Sequence, residues 1–427
     1  MLNIKIFKHD FFKASTVVLA GSLLANVLNY FFNLVMGRML EPSEFGEVAS
    51  LMGLAVIVSV PSLTLIRLMA KYTAGFRTRE DFDLIGDLFK LVTRYSLIIG
   101  LIMLLIFWLA TPLLSSFFRI DKLPFFIFGL ILPFSLVAAV NQGTFQGLQR
   151  FLPFSLISVI GAAAKLILAA LFVKLGFLVA GVMGAYVIGL LFACAYGLFK
   201  IVPQLKILKS KDSGKAKSKI CQQDILSDVF ALFLASLFIA LFSNADIVLA
   251  KHYLTPYLAG QYAALSVTGK IILYGSASFV TVMFPMISAA KANGGRGERK
   301  LLKMSFVVIA AVAGLILSFF FLFPKLTLGI LFGVKYLTVA PYLGLFGLAM
   351  AFSTLAQVLI NYFMASRAKR FLPPLILIVV LQILLIGFFH ASLFQITMVM
   401  LASSFLLLAV MGVVYYKQAK IKVYESS

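Results

Sequence analysis

The chain has 427 residues, 62% of them hydrophobic and 12% charged, with 37 Lys and Arg against 15 Asp and Glu. So little polar surface cannot cover a soluble globule of that length, and apolar runs of about 20 residues, each enough to cross about 30 Å of hydrocarbon, recur along it. The formal charge of +22 would fit a nucleic-acid groove in a soluble protein, but the cations gather in alternate loops between the apolar runs, the pattern left by the positive-inside rule, and nucleic acid is excluded as a partner.

The runs predict an all-α polytopic membrane protein of about twelve transmembrane helices, near residues 14–37, 45–71, 90–116, 124–148, 151–174, 177–200, 226–250, 258–290, 301–323, 338–366, 371–390 and 394–416. Residues 1–13 are basic, and the run that follows is too long for a cleaved signal, so the first helix is read as an anchor. Along it Ser22, Asn26, Asn29 and Asn33 recur at spacings of four, three and four. That period puts them on one face, either a wet path for sugar or hydrogen-bond glue between helices. Pro61 and Pro133 fall inside the second and fourth spans and predict kinks, with a hinge role open. Arg67 and Arg94 lie near the inner ends of their helices, where a cation either anchors to anionic headgroups or captures an incoming diphosphate. Gln142, Gln146 and Gln149 form a second polar stripe near the inner end of the fourth span.

Lys165 stands about 14 residues, roughly 21 Å, into the fifth span, too deep for simple snorkelling to the near surface. Residues 201–225 form a Lys-rich stretch around Gly214, read as a cytoplasmic linker. Beyond it, Asp246 is the one carboxylate clearly within a span, and Lys270 lies about a dozen residues into the next. One deep lysine in each half points to a phosphate site, against the plainer reading of a lysine paired with a carboxylate. Asp246 is read either as a proton or sodium coupling group or as a structural partner of Lys270 or Lys251. Thr354, Gln357 and Asn361 form a third polar stripe.

No catalytic constellation emerges. His9, His252 and His390 fall in separate end regions, Cys194 and Cys221 offer neither a disulfide framework nor a metal spacing, and no Gly-Lys-Ser/Thr phosphate loop is present. The chain is expected to be no enzyme, with no metal, no cofactor and no ATP site.

The linker lies close to the middle, and the flanking halves match each other. Residues 40–51, LEPSEFGEVASL, align with 254–265, LTPYLAGQYAAL, with Leu40/Leu254, Pro42/Pro256, Gly46/Gly260, Ala49/Ala263 and Leu51/Leu265 identical; RFLP recurs at 150–153 and 370–373. The matched segments take equivalent places in two sets of six helices, so the repeats are parallel and substrate belongs between them. The expected organisation is a six-helix lobe over 1–200, the linker over 201–225, a second lobe over 226–416 and a tail over 417–427.

The polar-studded first helix leading through GRMLEPSEFG (37–46), Asp246 followed by Gly260, Tyr262 and Lys270, and LFGVKYLTVAPYL (331–343) together resemble the polysaccharide-exporter branch of the multidrug/oligosaccharidyl-lipid/polysaccharide (MOP) superfamily, the group of the O-antigen-unit flippases. The resemblance covers nearly the whole length. It implies two lobes in a V around a cationic cavity, carrying a polyprenyl-diphosphate-linked oligosaccharide to the outer leaflet by alternating access. The chain departs from the peptidoglycan-precursor flippases in lacking two further C-terminal spans and an Arg-bearing first helix. Lys165, Lys270, Asn26, Asn29, Asn33, Arg67 and Arg94 are then the candidate substrate contacts, cations for the diphosphate and amides for the sugar. The expected setting is the inner membrane, with both termini cytoplasmic, membrane lipid around the chain, and a glycan polymerase or glycosyltransferases as partners. Two rivals stand beside this reading: a cation-coupled drug or toxin antiporter of the same superfamily, and a non-transporting membrane scaffold.

Overall fold

The computed structural model describes residues 2–209, 223–276, 298–366 and 369–424. Among the described residues every regular element is a helix, the only open-ended way for a chain in hydrocarbon to satisfy its own backbone N–H and C=O groups. Among the described residues ten stretches are long and apolar enough to cross a bilayer, and Leu372–Phe388 is a shorter apolar helix.

Two predicted spans turn out to be broken. The second is α2 (Pro42–Val58) and α3 (Val60–Thr78), following α1 (Leu2–Met39) and interrupted at Ser59. Pro61 lacks the N–H that would bond the Ile57 carbonyl, so the ladder fails there. After α4 (Phe82–Phe118), the fourth is α5 (Lys122–Gly129) and α6 (Ile131–Gly147), with Pro133 denying a donor to Gly129 in the same way. Then come α7 (Phe151–Lys174) and α8 (Leu178–Lys209), the latter running past the predicted end at 200, so regular structure continues into the proposed linker. Its Lys-rich middle and Cys221 lie outside the described residues.

After α9 (Gln223–Tyr253) and α10 (Pro256–Gly269), helical residues 271–276 follow a turn at Lys270. The tail of the predicted 258–290 span, with Pro285, lies outside the described residues. The predicted 338–366 span is a 3-10 segment, Val334–Tyr342, followed by the helix Leu343–Ala365, and the last helix, Leu393–Tyr424, extends through most of the predicted tail.

The chain divides into two compact units, Met1–Leu40 with Ala55–Phe233, and Glu41–Leu54 with Leu234–Ser427. In the first, α7 packs against α1 and α8, and α6 against α3, α4 and α8. In the second, Leu343–Ala365 packs against Glu298–Leu322, α10 and Leu393–Tyr424. A division at the linker alone would leave 41–54 with the first unit, but its packing assigns it to the second. Phe45 is buried with its ring 5.5 Å from that of Phe332 and 6.0 Å from that of Tyr336. Glu47 pairs with Lys251 at 3.4 Å.

The same packing explains why the internal repeat keeps its glycines. Gly46 and Gly260, equivalent in the two copies, meet backbone to backbone: a Cβ on Gly46 would lie 2.8 Å from the Gly260 nitrogen, and one on Gly260 would collide with the Pro42 carbonyl. Because backbone cannot yield as a side chain can, Gly260→Ala is expected to cost about 1–3 kcal/mol. Thermal unfolding of the detergent-solubilised protein checks this, and an unchanged midpoint would show that the contact is not held.

Candidate functional site

Two buried polar clusters stand out, one in each unit. In the first, α7 and α8 come close because Gly189 has no side chain: a Cβ there would lie 2.8 Å from the Gly161 carbonyl and 3.0 Å from the Lys165 nitrogen. That approach brings Tyr186, one turn earlier on α8, against Lys165, while α1 covers α7 from another side. Lys165 is 8% exposed. Its Nζ donates to Asn29 Oδ1 at 2.7 Å and stands 4.3 Å from the ring centre of Phe32 and 5.0 Å from that of Tyr186. Among the described residues no carboxylate pairs with it. The ammonium is thus held by one amide dipole and two ring faces, which attract a cation without neutralising it.

Asn29 is itself tied down. Its Nδ2 donates to the Ala25 carbonyl at 2.8 Å, and its main-chain carbonyl accepts from Asn33 Nδ2 at 2.9 Å. The structure therefore brings Lys165 and Asn29 into one cluster, with Asn33 tied to the α1 backbone one turn beyond. Asn26, Arg67 on α3 and Arg94 on α4 are exposed positions outside it. Phe32 and Tyr186 complete the cage, and the sequence carried no signal for either beyond aromatic residues in apolar helices.

The second cluster surrounds Asp246 on α9, which is fully buried. Its Oδ2 accepts from Tyr262 Oη at 3.0 Å and Ser266 Oγ at 3.1 Å, and Lys270 Nζ lies 3.8 Å from Oδ1. Positions 262, 266 and 270 are each four apart, so α10 and the turn that ends it present three partners along one line. Lys270 is 5% exposed, and its charge is matched by Asp246. Lys251, the other partner offered to Asp246 by the sequence, pairs with Glu47 instead. The spacing that identifies Tyr262 and Ser266 was present in the sequence, since both precede Lys270 by whole multiples of four.

Members of the remaining polar stripes hydrogen-bond within the protein. Thr354 Oγ1 donates to the Met350 carbonyl at 2.7 Å and Asn361 Nδ2 to the Gln357 carbonyl at 2.8 Å, both within their own helix. Gln142 Nε2 reaches Ser158 Oγ at 3.0 Å and ties α6 to α7. Among the described residues no group of three or more His, Cys, Asp or Glu side chains could hold a metal ion.

Residues 11–291 match the family model described as polysaccharide biosynthesis protein. Over 299 residues the chain is 23% identical to an uncharacterised membrane protein of Methanocaldococcus jannaschii, covering 65% of this chain and 68% of that protein. Among solved structures it resembles an inward-facing multidrug resistance MATE family transporter of the MOP superfamily, with a TM-score of 0.73, 14% identity, and 97% and 99% of the two chains covered. It also resembles the MATE multidrug transporter DinF-BH, with a TM-score of 0.68, 13% identity, and 95% and 94% covered. These likenesses establish the fold.

Proposed function

Because this chain belongs to the polysaccharide biosynthesis protein family and shares its fold with transporters of the MOP superfamily, we propose that it is a flippase moving a polyprenyl-diphosphate-linked oligosaccharide from the cytoplasmic to the outer leaflet. A flippase breaks no bond. Its task is to replace the water around a charged headgroup while the lipid tail stays in hydrocarbon. The observation that carries the proposal is Lys165, a buried ammonium held by Asn29, Phe32 and Tyr186 with no carboxylate paired to it among the described residues. A cation left uncompensated at low dielectric favours an anionic partner, and a diphosphate supplies one.

In this proposal the exposed cations Arg67 and Arg94 receive the headgroup first, and the exposed Asn26 faces the sugar. Lys270 acts through Asp246 rather than as a free phosphate ligand. The protein works in the inner membrane with both termini cytoplasmic, glycosyltransferases supply its substrate, and a glycan polymerase consumes the product.

One observation favours a second reading, the cation-coupled antiporter: Asp246 is a buried carboxylate in a fold shared with multidrug transporters. Its charge, however, is already met by Lys270, which leaves that cluster nothing in excess to offer a cationic drug. Proteoliposomes decide between the two. The expected result is protein-dependent transfer of a fluorescent polyprenyl-diphosphate glycan to the opposite leaflet, read by quenching with a membrane-impermeant reagent, with no accumulation of a fluorescent organic cation. Accumulation of the cation without glycan-lipid transfer would establish the antiporter instead.

A further inference from the structure

We infer that Asn29 is a positioning residue whose neutrality sets the charge selectivity of the Lys165 site; the inference rests on the reading of that site as an anion site. Asn29 was singled out in the sequence as a sugar contact, but both ends of its side-chain amide are bonded within the protein. Its Nδ2 is committed to the Ala25 carbonyl and its Oδ1 to Lys165. Turning the amide over would place an NH2 against the ammonium and a carbonyl oxygen against a carbonyl oxygen, so the orientation follows from the partners.

What matters is the residue type at this point. A carboxylate at position 29 would have nearly the same shape and would meet Nζ at 2.7 Å as an ion pair. The site would then be internally neutral. With an amide there, the oxygen holds the ammonium in place and takes up one of its three donors, while its charge stays available. The other two donors face surroundings that include the rings of Phe32 and Tyr186, whose faces attract the cation weakly. Phosphate oxygens accept far more strongly than ring faces and can take those donors over. Asn29 and the two rings thus hold the lysine ready without satisfying it.

The test uses the purified full-length protein and polyprenyl diphosphate in detergent, with binding and thermal stability measured on the same samples. Asn29→Asp is expected to weaken binding about tenfold or more, the loss of at least one charge-assisted hydrogen bond, while the protein stays folded, because the new ion pair with Lys165 offsets the lost hydrogen bond to the Ala25 carbonyl. A second variant, Tyr186→Glu, brings a carboxylate to the same ammonium from α8 and is expected to weaken binding as well. If Lys165 only satisfies the protein interior, these changes would move stability and leave binding alone. Binding within about twofold of the unchanged protein in either folded variant overturns the inference. Lys165→Ala separates the two levels of the claim: undiminished binding there defeats the anion-site reading itself, whereas loss there with undiminished binding in Asn29→Asp defeats only the role given to Asn29.

Discussion

Replacing Lys165 by Ala or Gln is expected to abolish transfer of every polyprenyl-diphosphate glycan while leaving the amount and stability of the protein intact. The two halves of that result come from one fact, that Lys165 has no carboxylate counterpart among the described residues. A lysine in an ion pair leaves a naked buried charge behind when it is removed, and the fold suffers. Removing Lys165 leaves behind only an amide oxygen and two ring faces. The desolvation cost of a buried ammonium disappears with it, so unfolding is expected at an unchanged or higher temperature.

The substrate, in contrast, loses its cation. A hydrogen bond to a charged group contributes about 1.5–3 kcal/mol, roughly 10- to 150-fold in binding, and the effect on transfer is larger if the same contact is needed to bring the headgroup through hydrocarbon. Lys165→Arg should retain part of the activity, because it keeps the charge but presents a wider, planar donor set to a cage shaped for an ammonium. The glycan in the outer leaflet and the midpoint of thermal unfolding are the two readouts. Transfer near the normal rate in a well-folded Lys165→Ala protein removes the site.

How far the sequence foretold this arrangement depends on whether a feature is set along one helix or between helices. Apolar runs were legible because hydrocarbon forces each crossing segment to satisfy its own backbone. The depth of Lys165 and the facing of Asn29 and Asn33 were legible too, as counts along a helix. Phe32 and Tyr186 were not: in a chain with 43 Phe and 15 Tyr an aromatic residue in a span carries no signal, and its place beside Lys165 depends on the approach of α8 at Gly189.

The repeat shows the same boundary. Equivalence of Gly46 and Gly260 could be read by alignment, but not that the two touch, nor that 41–54 packs with the second unit. Pro61 and Pro133 foretold kinks where the helices in fact break. Lys251 was offered beside Lys270 as a partner of Asp246. Five residues along a helix turn the side chain by about 140°, and Lys251 accordingly meets Glu47.

Asp246→Asn is expected to produce the opposite pattern from Lys165→Ala, a loss of folded protein. Tyr262 and Ser266 can still donate to the oxygen of an Asn, so the hydrogen bonds are not the main loss. The loss is the counter-charge of Lys270, which is 5% exposed and has its ion pair with Asp246. Breaking one side of a buried pair costs about 3–5 kcal/mol, a large part of the stability of a typical domain. Exchanging the two residues should recover little, because a carboxylate moved to position 270 leaves Tyr262 and Ser266 directed at an ammonium. Removing both charges is the informative rescue. Asp246→Asn combined with Lys270→Gln leaves a neutral cluster that can hydrogen-bond internally, and the coupling between the two changes measures the pair. The double variant is expected to regain both abundance and glycan transfer, the outcome of a structural pair. Regained abundance without transfer driven by an imposed proton or sodium gradient would instead assign Asp246 to coupling, since a neutral Asn can hold the helices together but cannot exchange a charge.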